Sequence, residues 1–198
     1  RLRDGRPIIL PDGGETPMQW AFVDDVAEAC VKALEVPEAA GEAFNVGHPG
    51  SLSQRAFVEA LARVAGVTPA LVPVPREVIM AEGGKQSKEM AESLGLPTSN
   101  AIEIENALDI ISTIILGPEL VGEILDASEE RLIEKMTGCP MLNAHRNIGH
   151  PPTAGTPAHC QAFCQSSVES LNPRYTIRYT KRMCTGDPHC EYIIELKK

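Results

Sequence analysis

Hydrophobic positions follow two patterns along the first 80 residues. Short apolar runs between turn residues predict strands, and apolar residues at helical spacing predict amphipathic helices. One predicted helix is capped by Asp24 or Asp25 and ends at Pro37, and a second runs from the cap Ser53 to Gly66. Strands and extended segments are predicted at residues 7–11, 19–23, 43–47 and 71–75. Residues 1–80 are therefore expected to form a small α/β segment.

The pattern changes at about residue 82, where longer helical periods precede two strand pairs. Helices are predicted at 82–94, 101–116 and 156–171, and strand pairs at 121–127 with 131–137 and at 175–184 with 189–196. Residues 138–155 are rich in Gly, Pro, His and Asn and predict a long loop, which inside a compact domain is often functional. Residues 82–198 are expected to form a compact α+β domain in the order helix, helix, hairpin, helix, hairpin.

Composition narrows the classes of partner. The chain has 198 residues and a formal net charge of −9, which disfavours nucleic acid because phosphate binding needs a concentrated basic surface. No apolar run reaches the roughly 18–20 residues that a membrane span needs, so no membrane partner is expected. Six cysteines are too few for a disulfide-dense secreted scaffold, which indicates a reducing, cytoplasmic compartment.

Five of the six cysteines fall between Cys139 and Cys190, which concentrates the thiols in one part of the sequence. Cys160 and Cys164 are four residues apart on a predicted helix, a spacing that turns both thiols toward one point. Such a pair can supply two ligands of a tetrahedral zinc site, with Cys184 and Cys190 as the other two. Strand parity opposes this set, because a four-residue hairpin loop puts Cys184 and Cys190 on opposite sheet faces. Thiols without a ligand and a substrate-contacting thiol are the alternatives.

Cys139 is the strongest candidate for a reactive thiol. It precedes a proline and opens the predicted loop, which also carries His145 and His150. A cysteine needs a nearby base or positive charge to act as a nucleophile, and His145, Arg146 or His159 would supply it. We expect Cys139 as nucleophile and His145 as its base. The residues expected to contact the substrate are His150, Cys160 and Cys164.

Two motifs in the first segment carry a family resemblance. They are Val23-Asp24-Asp25-Val26-Ala27-Glu28-Ala29 and Gly41-Glu42-Ala43-Phe44-Asn45-Val46-Gly47. At this spacing, residues 1–79 resemble the C-terminal portion of extended short-chain dehydrogenases, the NAD-dependent epimerase/dehydratase family. The sequence has neither the family's glycine-rich phosphate loop nor its Tyr-x-x-x-Lys pair. The segment is therefore expected to be catalytically silent, binding NAD(P) only if a missing N-terminal half is supplied.

The end of the second domain carries another resemblance. The run Cys184-Thr185-Gly186-Asp187-Pro188-His189-Cys190-Glu191-Tyr192 resembles the closing motif of 4-vinyl-reductase-like ligand-binding domains, which bind small hydrophobic molecules. With Cys139-Pro140, Cys160 and Asn172-Pro173 added, residues 82–198 resemble the L-2-amino-thiazoline-4-carboxylic acid hydrolase-like family. Some relatives of the first group hold zinc with a glutamate at the position that Lys181 occupies here, a departure that weakens the zinc assignment.

These features lead to three functional hypotheses. The second resemblance implies a small-molecule-binding domain of hydrolase-like ancestry that opens a thiazoline or related cyclic amide ring. The first alternative is a non-catalytic module that senses a ligand or a metal such as zinc. The second alternative is a fragment of an NAD-dependent epimerase/dehydratase that lacks its cofactor-binding half. The expected partners are a small-molecule ligand and a second copy of the chain.

Overall fold

The computed structural model describes residues 1–147 and 152–198, and these residues form a mixed α+β structure. The fold class predicted from the hydrophobic pattern is thereby confirmed. The chain divides into two compact units, unit 1 at Arg1–Pro75 and unit 2 at Arg76–Lys198. Within the described ranges, no helix is both long and apolar enough to cross a membrane.

Unit 1 consists of two short strand pairs and two helices. Its strands and α-helices are β1 (Ile8–Pro11), β2 (Pro17–Met18), α1 (Val23–Glu35), β3 (Leu52–Ser53), α2 (Gln54–Ala65) and β4 (Leu71–Val74). β1 pairs with β4 in parallel, and β2 pairs with β3 antiparallel. The Ser53 hydroxyl caps α2 by accepting a hydrogen bond from Ala56 N at 3.1 Å, and Gly66 ends the helix at φ 67°. Both helix ends agree with the sequence prediction.

Three predictions for unit 1 are wrong. Residues 19–22 and 43–47 form no strand, because an apolar run becomes a strand only where a neighbour supplies its hydrogen-bond partners. Trp20 instead stacks on Phe57 with 4.2 Å between the ring centroids. α1 begins at Val23 behind Phe22, so neither Asp24 nor Asp25 serves as its cap.

Unit 2 is a four-stranded antiparallel sheet with helices packed on it. Its elements are α3 (Arg76–Leu94), α4 (Ala101–Leu116), β5 (Val121–Ala127), β6 (Arg131–Gly138), α5 (Pro140–Asn147), α6 (Thr156–Leu171), β7 (Tyr175–Lys181) and β8 (Cys190–Leu196). The strand order is β5-β6-β8-β7. α6 packs against α3 and β7, and α4 packs against β6 and β8. The predicted bounds of α4, β5 and α6 are confirmed.

Two rows of side chains cross the face of the sheet that α4 and α6 cover. The first row consists of the buried residues Leu132, Ile194 and Ile177, which lie opposite one another on β6, β8 and β7. The second row consists of Glu134, Tyr192 and Tyr179, which are paired in the same way. Strand residues two apart share a face, so the polar row lies beside the apolar row under the same helices.

The predicted loop at residues 138–155 is wrong in its first part, where α5 adds a helix to the predicted order. Pro140 stands at the first helical position, where its missing N–H costs no hydrogen bond. Asn143 N donates to Cys139 O at 2.9 Å, and Leu142 is buried. Local capping and one apolar anchor therefore outweigh a composition that is typical of loops.

Two further boundaries in unit 2 differ from the prediction. α3 begins at Arg76 rather than at residue 82, so the division between the units falls at Pro75. β7 ends at Lys181, and Met183–Thr185 form a 3₁₀ turn. Cys184 thus lies in a turn rather than on a strand, and the parity argument that separated it from Cys190 does not apply.

Gly84 lies where α3 packs on α6, and its position leaves no room for a side chain. A Cβ atom there would collide with the backbone oxygen of Phe163 and lie 3.0 Å from Ser167 N. At the neighbouring Gly83, a Cβ atom would lie 3.7 Å from the Phe163 ring, an ordinary contact. The two glycines therefore form a matched pair for a stability test.

We predict that Gly84→Ala lowers the free energy of unfolding by about 1–3 kcal/mol, because the two helices must move apart. Gly83→Ala should leave it unchanged or raise it by up to about 1 kcal/mol, since alanine is the better helix former. Urea unfolding followed by tyrosine near-ultraviolet circular dichroism measures unit 2, which contains all three tyrosines. Equal stabilities of the two variants would contradict the prediction.

Candidate functional site

A cavity of about 60 Å³ lies in unit 2 between α4, α6 and the sheet. This volume accommodates on the order of two to four water molecules or a compact polar group of a ligand. Its acidic lining residues are Glu105, Asp109 and Glu134. Its apolar lining residues are Leu108, Leu120, Met136, Phe163 and Ile177. No lysine, arginine or histidine is among the described residues that line it.

Glu105 is the most deeply buried acidic group of this cavity. It lies on α4 with 5% of its surface exposed, beside the fully buried Ile104. Its Oε1 accepts a hydrogen bond from the Tyr192 hydroxyl at 2.9 Å. Its Oε2 is buried and accepts no hydrogen bond from the described residues, although a protonated Glu105 is hydrogen-bonded to the Glu134 carboxyl. Burial, together with the neighbouring Glu134 carboxyl, raises the pKa of Glu105 well above its ordinary value of 4.5, so the protonated form is favoured.

Glu134 reaches the cavity because the neighbouring strand has a glycine beside it. Glu134 lies opposite Ile124 in the β5–β6 pairing, and its side chain lies over Gly122. A Cβ atom at Gly122 would collide with a carboxylate oxygen of Glu134. Gly122 therefore gives the Glu134 carboxyl the space to lie close to Glu105.

The other end of the site is built from two thiols and a tyrosine. Cys160 and Cys164 lie on α6, and both contact the Tyr179 hydroxyl. The hydroxyl donates to Cys164 Sγ at 3.2 Å and lies 3.8 Å from Cys160 Sγ. The four-residue spacing thus brings both thiols to one point, as the sequence predicted. The Tyr179 ring meets the Tyr192 ring edge-on at 5.4 Å, which joins the thiol end to the carboxyl end.

The two thiols differ in their affinity for a proton. Hydrogen bonding from Cys164 lowers the pKa of Cys160 to about 6; burial opposes this shift, and Tyr179 and the Arg182 guanidinium add to it. The pKa of Cys164 is raised by Cys160 and by burial. Arg182 is held in place by hydrogen bonds to Pro157 O and Gln161 Oε1, both 2.7 Å long, and lies 4.6 Å from the centre of the Tyr179 ring. This arrangement stabilises a Cys160 thiolate beside a Cys164 thiol.

The structure places the predicted nucleophile on a different element from this pair, at the junction of β6 and α5. Cys139 is half-buried between β6 and α5. His145 lies in α5, and its side chain and the whole of His150 lie outside the described part of the molecule. His159 Nε2 is 3.4 Å from Glu77 Oε1. The assignments of Cys139 as nucleophile, His145 as base and His150 as a substrate contact remain predictions.

The remaining thiols lie near the turn between β7 and β8. Cys184 is in the 3₁₀ turn, and Cys190 begins β8 and accepts a hydrogen bond from Met183 N at 3.3 Å. Burial raises the pKa of Cys190 to about 11. Among residues 1–147 and 152–198, no group of three or more His, Cys, Asp or Glu side chains is arranged to hold a metal ion. Zinc binding by Cys160, Cys164, Cys184 and Cys190 therefore remains a prediction from sequence.

Sequence reasoning missed the two buried carboxyl groups and the two tyrosines of the cavity. They are Glu105, Glu134, Tyr179 and Tyr192. A signal for Glu134 was present, because it interrupts the apolar face of β6 between Leu132 and Met136. Glu105 directly follows the apolar Ile104 in a helix whose charge pattern gives no indication of which carboxylate is buried. Which carboxylate is buried depends on how α4 packs against the sheet.

Comparison with known proteins gives two kinds of similarity. Residues 1–47 match the model of the NAD dependent epimerase/dehydratase family. This match agrees with the predicted resemblance to that family but is shorter than the predicted range of residues 1–79. No curated protein matches the sequence of the chain. The resemblance of residues 82–198 to the thiazoline hydrolase-like family remains a prediction.

Several solved structures share part of the backbone arrangement. A trafficking protein particle complex subunit 3 from Naegleria fowleri, covalently bound to palmitic acid, has 13% identity and a TM-score of 0.46, covering 62% of this chain and 78% of that one. The phenol-responsive sensory domain of the transcription activator PoxR, with phenol, has 14% identity and a TM-score of 0.45, covering 61% and 64%. A vinyl-4-reductase family protein from Methanocaldococcus jannaschii has 12% identity and a TM-score of 0.36, covering 90% and 99%.

We predict that Glu105 makes the stability of unit 2 depend on pH. A folded-state pKa above the unfolded value contributes stability that is fully present below about 4.5 and is lost as pH rises toward the folded-state pKa. The loss is at most about 1.4 kcal/mol for each pH unit in this window. Glu105→Gln should remove this component, whereas Glu123→Gln, at an exposed salt bridge with Lys135, should retain it. Urea unfolding at several pH values measures the slopes, and identical slopes for the two variants would contradict the assignment.

Proposed function

We propose that unit 2 is a small-molecule-binding module whose ligand occupies the cavity between α4, α6 and the sheet. The observation that carries this proposal is Glu105 Oε2, a buried oxygen at a cavity wall that, in the ionised carboxyl, accepts no hydrogen bond from the described residues. An unpaired buried polar atom costs about 1–3 kcal/mol. A ligand that donates a hydrogen bond to this oxygen would offset that cost.

The lining defines the class of ligand. Leu108, Phe163 and Ile177 provide an apolar wall, and the carboxyl and hydroxyl groups of the polar row orient a polar group. Asp109 and Gly122 are exposed, so this side of the cavity is open to solvent. The expected ligand is a compact molecule with a short apolar body and at least one hydrogen-bond donor.

We predict that Ser112→Leu abolishes ligand binding, whereas Thr113→Leu does not. Ser112 lines the cavity, and leucine at this position would fill it; Thr113 follows on the exposed side of α4. The probes are small alcohols, amides and amines, screened by ligand-observed NMR. For probes that bind the unmodified chain, Ser112→Leu should weaken binding by at least about tenfold, and Thr113→Leu by less than about twofold.

Two results would overturn the small-molecule proposal. One is the absence of binding by every probe, and the other is equal binding to both leucine variants. Urea unfolding of Ser112→Leu shows whether unit 2 is intact, so that loss of the cavity is distinguished from loss of the fold. If Ser112→Leu fails to fold, a smaller replacement at the same position, Ser112→Val, repeats the comparison with Thr113→Val.

A second candidate function is thiol-dependent opening of a thiazoline or related cyclic amide ring. The observation that favours it is the lowered pKa of Cys160, next to a second thiol, Cys164, that lines the cavity. A thiol that ionises near neutral pH is the nucleophilic form of cysteine. In this version Cys160, rather than the sequence-predicted Cys139, attacks the ring.

We predict that Cys160→Ser lowers the rate of ring opening by at least about 100-fold, because a serine hydroxyl is not ionised near neutral pH. Cys30→Ser, which changes an exposed thiol of unit 1, is the control and should be unchanged. The rate is measured from loss of the thiazoline absorbance. A rate that falls only in Cys139→Ser would restore the sequence-based assignment, and no turnover by the unmodified chain would exclude the activity.

A further inference from the structure

The ligand class is narrowed by the charges that surround the cavity. Three carboxyl groups, of Glu105, Asp109 and Glu134, line a space of about 60 Å³. No basic side chain among the described residues lines it to compensate them. A buried carboxylate is tolerated only when it is paired or neutralised. The cavity therefore favours an occupant that is positively charged.

We propose that the cavity binds a small protonated amine whose ammonium group donates hydrogen bonds to Glu105 and Glu134. This inference rests on the small-molecule-binding function proposed above and names its ligand class. An ammonium group has three donors and no acceptor, which matches a wall of carboxylate oxygens. Once Glu105 is ionised, its buried Oε2 accepts no hydrogen bond from the described residues and is the acceptor that such a donor needs.

The aromatic residues of the site support a cation. Tyr179 and Tyr192 line the cavity on the sheet side, and Phe163 lines it from α6. Aromatic rings attract a cation placed over their faces, and the attraction grows when the cation is desolvated. The apolar wall beside them accepts the short carbon chain of an alkylamine.

Binding of an amine is expected to release a proton. Burial favours the protonated form of Glu105, and a cation in the cavity favours the carboxylate, so the carboxyl proton leaves to solvent while the ammonium nitrogen keeps its own protons. The titratable groups that face Glu105 are Glu134 from β6, Tyr192 from β8, Cys164 from α6 and Asp109 on α4 itself. All of them are acidic, so in the free cavity they favour the protonated form of Glu105, and the bound cation is the group that favours the carboxylate.

The test compares n-propylammonium with 1-propanol, its neutral counterpart of similar size. Propylammonium stays charged from about pH 5 to about pH 8, because the pKa of an alkylammonium group is similar to that of lysine, about 10.4. Affinity is measured by ligand-observed NMR in about 0.15 M salt, which screens weak association with the acidic surface. Ser112→Leu identifies the fraction of binding that belongs to the cavity.

At the upper end of this pH range, propylammonium should bind at least about tenfold more tightly than propanol. Its affinity should rise with pH, and the slope of log affinity against pH gives the number of protons released. Glu105→Gln should remove the slope and weaken amine binding by about tenfold, while Glu123→Gln behaves as the unmodified chain. The slope of the unmodified chain is measured without any variant, so the test remains decisive if Glu105→Gln fails to fold.

Two failures are distinguishable. Equal affinities for propanol and propylammonium, both lost in Ser112→Leu, would overturn the amine assignment and leave the small-molecule-binding function in place. Amine binding that does not change with pH would also overturn the assignment. Absence of both ligands and of every other probe from the cavity would overturn the two proposals together.

Discussion

The site in unit 2 depends on the strand register that places Glu134, Tyr192 and Tyr179 opposite one another. A shift of one residue in either strand pairing would turn these side chains to the other face of the sheet. The adjacent row, with Leu132 and Ile194 fully buried under the helices, opposes such a shift because it would expose those side chains. Burial of the apolar row therefore fixes the polar row in the cavity.

The two ends of the polar row favour opposite protonation states within the same small space. At the carboxyl end, burial and acidic neighbours favour neutral Glu105. At the thiol end, hydrogen bonding and the Arg182 guanidinium favour ionised Cys160. Burial alone would favour the neutral form of both groups, so the difference between their protonation states comes from their neighbours. The edge-on contact between Tyr179 and Tyr192 lies between these two environments.

Sequence patterns predicted the elements of unit 2 better than those of unit 1. α4 has a clear cap at Asn100, whose side chain accepts a hydrogen bond from Glu103 N at 3.0 Å, and α6 has Pro157 in its first turn and ends at Asn172-Pro173. In unit 1, α1 buries none of its residues, so its apolar spacing indicated a helix but no core. The apolar runs at residues 19–23 and 43–47 predict strands, yet strand pairing depends on neighbouring segments that a local sequence pattern does not reveal.

The site was predictable only where chemistry follows from spacing along one element. Cys160 and Cys164 converge because helix geometry brings residues four apart together. Glu105 and Glu134 come from different elements, and their meeting depends on how α4 packs on β6 and on the space that Gly122 leaves. The 3₁₀ turn at Cys184 invalidated a parity count that assumes an uninterrupted strand.

The carboxyl and thiol ends are also linked electrostatically. Negative charge on Glu105 raises the pKa of Cys164, adding to the larger effects of Cys160 and burial. Because such coupling is reciprocal, a Cys164 thiolate would in turn disfavour ionised Glu105. Cys160 and burial have the larger effects and keep Cys164 as a thiol, and this protonated neighbour lowers the pKa of Cys160. A ligand that ionises Glu105 would therefore further favour the thiol form of Cys164, so it would act on both ends of the row.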